Sequence, residues 1–178
     1  MIVGSDIARS CAGPFLVACA LLAIAGLGKV MHPAPARAAV AAAGLRVPRA
    51  AIVGFGLAEL GTGVVGARFG GRAAFAVAVC YVLLTVFAVR LLLRAPTTPC
   101  ACLGTANAAV TRTHVVLDVA TAGVAIVAAS GGSPLAQLSG RWLAAAVFGV
   151  LVACGVKLAA LALEELPELA AAGRRGAT

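Results

Sequence analysis

The chain has 178 residues, 62% of them hydrophobic and only 11% charged, with a mean hydropathy of +1.08. One water-soluble core cannot hide that much apolar surface, so the composition excludes an ordinary soluble domain and points to an integral membrane protein. The net charge of +8, from 14 basic and 6 acidic residues, does not signal nucleic acid, which would need bases gathered on one solvated face with aromatics between them; here they flank apolar runs, as membrane-bordering charges do.

A hydrocarbon core ~30 Å thick takes ~20 apolar residues per helix. The expected fold is therefore an all-α integral membrane bundle of four to five transmembrane helices, at about 12–31, 50–67, 73–93, 112–130 and 142–163. Residues 1–178 read as a single transmembrane domain ending in a short polar tail, 164–178, with Glu164, Glu165, Glu168, Arg174 and Arg175.

The first predicted helix follows a short polar start with Asp6 and Arg9, and is free of charge from Cys11 to Gly28. That run is longer than the apolar region of a signal peptide, and comparable runs follow it, so it is expected to stay as a span. Lys29 closes it. Pro33, Pro35 and Pro48 break the next segment, which Arg37, Arg46 and Arg49 bar from crossing, and residues 36–45 are expected in the membrane interface. The second predicted helix carries small residues Gly54, Ala58, Thr62 and Gly66 at four-residue spacing, a stripe expected to admit another helix closely. Glu59 lies beside it, with Gly56 and Gly63 nearby, and is expected to face neighbouring helices, because an acid in a span is expensive and usually has a purpose.

The link Arg68-Phe69-Gly70-Gly71-Arg72 leads to the third predicted helix, with Cys80, Tyr81 and, in its last turn, Arg90. Next comes Pro99-Cys100-Ala101-Cys102-Leu103-Gly104, where paired cysteines flanked by Arg94 and Arg112 suggest either a reactive thiol pair or two inert thiols in a tight turn. The fourth predicted helix places His114 and Asp118 four residues apart on one face, with Asp118 expected to fix the imidazole tautomer. After the Gly131-Gly132-Ser133-Pro134 turn, the fifth starts at interfacial Trp142 and holds Lys157 near its far end.

Alternation puts Lys29, Arg90, Lys157, Glu59, His114 and Asp118 all toward the side of the cysteine loop. Snorkelling to headgroups is the plain reading of the three cations. Glu59 lies ~14 Å below the start of its helix, too deep for Lys29 unless one of the first two helices is shifted, so which base pairs with which acid stays open. Cys11 and Cys19 are ~12 Å apart in rise and cannot bridge, and Cys80 and Cys154 read as apolar fillers.

Gly-Leu-Gly-Lys29, Glu59-Leu-Gly-Thr-Gly and Cys100-Ala-Cys102-Leu-Gly104 occur in that order over about residues 12–160. With these motifs the chain resembles the methylamine utilisation protein MauE, a branch of the DoxX-like membrane proteins; Leu103 stands where Phe is more usual. The resemblance implies a cell-membrane, multi-pass protein embedded in the lipid bilayer. It would support disulfide formation during maturation of an exported enzyme such as methylamine dehydrogenase, with a thioredoxin-like protein and an exported cysteine-rich substrate as partners. Cys100 and Cys102 would form the redox pair, exchanging electrons through a mixed disulfide, and Glu59, His114, Asp118, Lys29 and Arg90 would be the supporting polar cluster. A quinone cofactor is compatible with that cluster, although nothing in the sequence identifies one.

Two other classes fit the residues. A small transporter would line a path with Glu59 and Asp118, but no helix has the Gly/Pro interruption of a broken-helix site. A non-catalytic assembly or scaffold protein would leave the cysteines incidental or bind metal through Cys100, Cys102 and His114, for which no fourth ligand is evident, so no metal site is expected. For orientation, Arg37, Arg46, Arg49, Arg94, Arg112, Arg174 and Arg175 lie on the cysteine side against Arg9, Arg68, Arg72 and Arg141 opposite, which favours a cytoplasmic loop. Disulfide chemistry on an exported enzyme favours the outer face, and an outward-facing loop is the expectation carried forward.

Overall fold

The computed structural model describes residues 11–98, 109–132 and, in the helical stretch beyond, residues 143, 146–147, 149–159 and 161. The predicted redox pair Cys100/Cys102, Trp142, Arg141 and the polar tail lie outside the described residues. The described elements are helices: α1 Ala12–Met31, α2 Pro33–Ala42, α3 Arg49–Phe69, α4 Arg72–Arg94, α5 Arg112–Ala128 and α6 Gly149–Ala159. Helices α1, α3 and α4 are long and apolar enough to cross a membrane. With 17 residues, α5 reaches the lower end of the range that spans.

Element boundaries follow local chemistry. The Gly70-Gly71 pair joins α3 to α4 with φ of 58° and 48°, a region that residues with a Cβ rarely enter, so glycine lets the chain reverse within one short turn. Pro33 does end α1, yet it also starts α2, because a proline in the first helical turn has no amide hydrogen bond to lose. The segment expected at the interface is thus a true helix. It buries Pro33, Ala36 and Ala39, while Ala43 and Ala39 join Ala88, Leu91 and Val110 in an apolar cluster against the end of α4. Arg90 Nε donates to the Ala43 carbonyl at 2.9 Å, placing positive charge on the α2 C-terminus, where free carbonyls accept it. The α2 connection and the α4–α5 connection therefore sit at one end of the bundle, as alternation requires.

The main core is built by Phe15, Ala18, Cys19 and Leu22 of α1, Ala74, Val77, Ala78, Tyr81 and Leu84 of α4, and Ala122, Ala125 and Ala128 of α5. Tyr81 satisfies its buried hydroxyl by donating to the Ala18 carbonyl at 2.8 Å. Outside, Phe55, Leu57, Val64, Phe75, Val82, Val86, Val116 and Ile126 are exposed, a continuous apolar girdle that lipid covers and water would not tolerate.

The small-residue stripe is displaced from its expected place. The face of α3 that packs is Ile52, Gly56, Glu59, Gly63 and Gly66, whereas a Cβ on Gly54 would meet nothing within 4 Å. A four-residue repeat drifts around a helix with 3.6 residues per turn; alternating steps of three and four keep one face. On that face α1 and α3 touch backbone to backbone. A Cβ on Gly26 would collide with the Gly56 carbonyl oxygen, and one on Gly63 would lie 2.6 Å from the Cys19 carbonyl oxygen.

This contact predicts that Gly63→Val destabilises the bundle by about 1–3 kcal/mol, the usual cost of overpacking, while Gly54→Ala does not. Thermal loss of the monodisperse peak of detergent-solubilised protein checks it. Equal tolerance at both positions would contradict the packing face.

Candidate functional site

Glu59 is fully buried and Lys29 is 7% exposed, and their charged groups meet, with Lys29 Nζ donating to Glu59 Oε2 at 2.7 Å. The Lys29 ammonium also stands 5.9 Å from the centroid of the Phe55 ring, within the range of a cation–π contact. Glu59 Oε1 has no hydrogen-bond partner among the described residues. This pairing answers what the sequence left open, since Lys29 reaches Glu59 only if one helix is shifted. The helices are shifted: Gly56 of α3 packs on Gly26, Lys29 and Val30 at the end of α1. The N-terminal two turns of α3, ~10 Å of helix, run past α1 to meet α2, and depth counted from Arg49 therefore overstates the distance. The plain snorkelling reading is also set aside for Lys29, which points into the bundle, while Lys157 of α6 is exposed as that reading expects.

A second polar group lies at the start of α5. Thr111 is the N-cap, and His114 takes the position usually held by Glu or Gln in a capping box. The Thr111 backbone N–H donates to His114 Nδ1 at 3.2 Å, and the Thr111 hydroxyl lies 3.0 Å from the same nitrogen. An amide can only donate, so Nδ1 is the acceptor and the neutral ring carries its proton on Nε2. The tautomer is thus set by the helix cap rather than by Asp118, correcting the sequence reading. The two do share a face. Both line a cavity of about 260 Å³ between α1, α4, α5 and the end of α6 at Ala159, together with Ala18, Leu21, Tyr81 and Leu84.

The expected polar cluster is therefore three arrangements, of which the first two are linked, with Asp118 within electrostatic reach of Lys29. Lys29 and Glu59 form an ion pair between α1 and α3, His114 and Asp118 face the cavity, and Arg90 holds the end of α2. Among the described residues no group of His, Cys, Asp and Glu is placed to hold a metal ion. Cys11, Cys19, Cys80 and Cys154 are free thiols. The ends of the stretch that contains Cys100 and Cys102 are joined, with the Val110 N–H donating to the Thr98 carbonyl at 3.2 Å. Sequence reasoning gave no role to Gly26 or Thr111. The Gly-x-Gly before Lys29 and the Thr-x-x-His at the start of α5 were the available signals.

The model of the family described as methylamine utilisation protein MauE matches residues 10–132. That stretch runs from α1 through the end of α5 and contains the ion pair, the cavity polar groups and the cysteine pair. No curated protein and no solved structure matches the chain.

Removing one member of a buried ion pair leaves the other uncompensated, at a cost of about 3–5 kcal/mol. Lys29→Met alone is accordingly expected to lower stability by that order, and Lys29→Met combined with Glu59→Leu to recover most of it. Unfolding of both variants in a mixed-micelle denaturant titration measures the difference. Additive losses in the double variant would rule out a coupled pair.

Proposed function

The chain belongs to the methylamine utilisation protein MauE family, and from that membership we propose that it is a multi-pass protein of the cell membrane supporting thiol–disulfide exchange as an exported enzyme such as methylamine dehydrogenase matures. The observation that carries this reading is the Cys100-Ala101-Cys102 element inside the family-matched region, in a connection whose flanks are tied by the Thr98–Val110 hydrogen bond. A paired cysteine motif in a chain otherwise adapted to lipid needs a chemical reason, and thiol exchange is the reason its spacing suits.

The exchange balances as follows. A thiolate of the substrate protein attacks one sulfur of the Cys100–Cys102 disulfide, the S–S bond breaks, and the second sulfur leaves as a thiolate. The substrate's other thiolate then attacks the mixed disulfide, so the substrate gains a disulfide and the pair is left as two thiols. A bridge across one intervening residue closes a very small ring, and such bridges are more oxidising than relaxed structural ones. A thioredoxin-like partner is the proposed carrier between this pair and the exported cysteine-rich protein. Arg94 and Arg112 at the two flanking helix ends favour thiolate over thiol.

Within this scheme Lys29 and Glu59 keep α1 and α3 in register. Cys100→Ser and Cys102→Ser are each expected to abolish function in a complementation assay of enzyme maturation, whereas Cys80→Ser and Cys154→Ser are tolerated. Equal tolerance at all four positions would point instead to a scaffold. Glu59→Gln is expected to insert normally and to lower function several-fold.

Orientation is part of the proposal, with the cysteine loop on the outer face. After mild reduction of intact cells, a membrane-impermeant maleimide is expected to modify Cys100 or Cys102. Labelling confined to lysed cells would place the pair in the cytoplasm and make it an electron donor there.

A further inference from the structure

The cavity beside α5 has a polar end and an apolar length. On α1 its wall runs from Pro14 to Ala25, a rise of ~16 Å. α1 and α5 run in opposite directions, so Ala25 lies toward the end where α5 begins, with His114 and Asp118, and Pro14 lies toward Val124. Pro14 and Ala120 on its rim are exposed, which opens it onto the lipid-facing surface. At about 260 Å³ it is below the ~300 Å³ at which sites for whole drug-sized ligands begin, so it suits a ring-sized head whose chain continues along the groove into lipid.

The polar groups narrow the head further. His114 Nδ1 is occupied by the Thr111 amide, leaving Nε2–H as the donor, and no hydrogen bond or ion pair holds Asp118 among the described residues. The other polar groups on the wall are already engaged, Tyr81 with the Ala18 carbonyl and Thr121 with the Leu117 carbonyl at 2.6 Å. The site therefore offers one donor and one acceptor, a helical turn apart, at the mouth of an apolar groove. A carboxylate there disfavours phosphate and fatty-acid heads, those of phospholipids included, and His114 and Asp118 place the head at the first two turns of α5.

We propose that this cavity binds an isoprenoid quinone, with a ring carbonyl accepting from His114 Nε2–H and, in the reduced form, a ring hydroxyl donating to Asp118. Both redox forms then have a partner at the same place, and the isoprenoid chain follows Leu21 and Val17 toward Pro14. The proposal concerns binding and stands apart from the thiol chemistry above.

The test uses the purified full-length chain in nanodiscs and a decyl-chain benzoquinone bearing a photoreactive azide. Saturable binding is expected, with cross-links mapped by mass spectrometry to peptides of α5 and α1. Asp118→Asn is expected to weaken binding of the quinol form at least 10-fold with a smaller effect on the quinone, and His114→Phe to weaken both; Cys80→Ser and Cys100→Ser leave binding unchanged. Cross-linking on the wild-type chain does not depend on any variant folding. Absence of saturable binding, cross-links confined to other helices, or equal displacement by a decyl alcohol lacking the ring would overturn the assignment, the last by showing a groove for acyl chains.

Discussion

The bundle depends on a charge pair that has no water to fall back on. With Glu59 fully buried and Lys29 nearly so, each is the other's substitute for hydration, and neither is tolerable in lipid alone. The 2.7 Å contact sits where α1 and α3 approach more closely than ordinary side chains allow. Gly26, Gly56 and Gly63 supply that approach by bringing backbone against backbone. The glycines and the ion pair are thus one device, in which the glycines set the distance and the pair sets the register. A slide of one residue would set Cβ-bearing residues against the facing backbone as well as part the charges, so both select the same arrangement.

Fixing α1 against α3 leaves the opposite side of α1 to meet α4 and α5. Phe15 and Cys19 reach from the α3 contact into the core, while Pro14, Val17, Leu21, Leu22 and Ala25 form the cavity wall. Tyr81 ties α4 to the middle of α1 through the Ala18 carbonyl, so the bundle is held by a polar contact on each side of α1, each satisfied within the protein as the bilayer requires. At the end where α5 begins, Arg90 on the Ala43 carbonyl and the Thr98–Val110 bond join α2, α4 and α5 around the approach to the cysteine stretch.

Much of this was legible because lipid imposes a coarse and length-dependent rule. Apolar runs bounded by Lys29, Arg49, Arg68, Arg72 and Arg94 mark α1, α3 and α4 to within a residue or two, since charges collect where the hydrocarbon ends. The interior placement of Glu59 was legible for the same reason. What escaped is whatever depends on one helix's position relative to another. Sequence carries depth along each helix but not the offset between helices, so the partner of Glu59 stayed open, with Lys29 in reach only if one helix is shifted. The packing face of α3 was misplaced by a strict four-residue step, because Gly54 and Gly56 look alike in composition and differ only in which neighbour they meet. His114 was assigned to Asp118 by spacing, while a nearer partner, the backbone amide of Thr111, is marked only by Thr-x-x-His, a capping box with His where Glu or Gln is usual.

That last misassignment changes the chemistry available at the cavity. Had Asp118 held the imidazole, the two groups would have satisfied each other and turned away from any ligand. With Thr111 capping the helix and taking Nδ1 in the same gesture, local backbone structure fixes the ring orientation and its tautomer at once, and the cost of holding them falls on the helix end rather than on the site. Nε2–H and the Asp118 carboxylate then both face an apolar groove, with no hydrogen bond to either among the described residues. Polar groups so placed in a membrane interior carry a desolvation cost, and they are tolerable where a neutral partner with both an acceptor and a donor enters from the lipid to meet them.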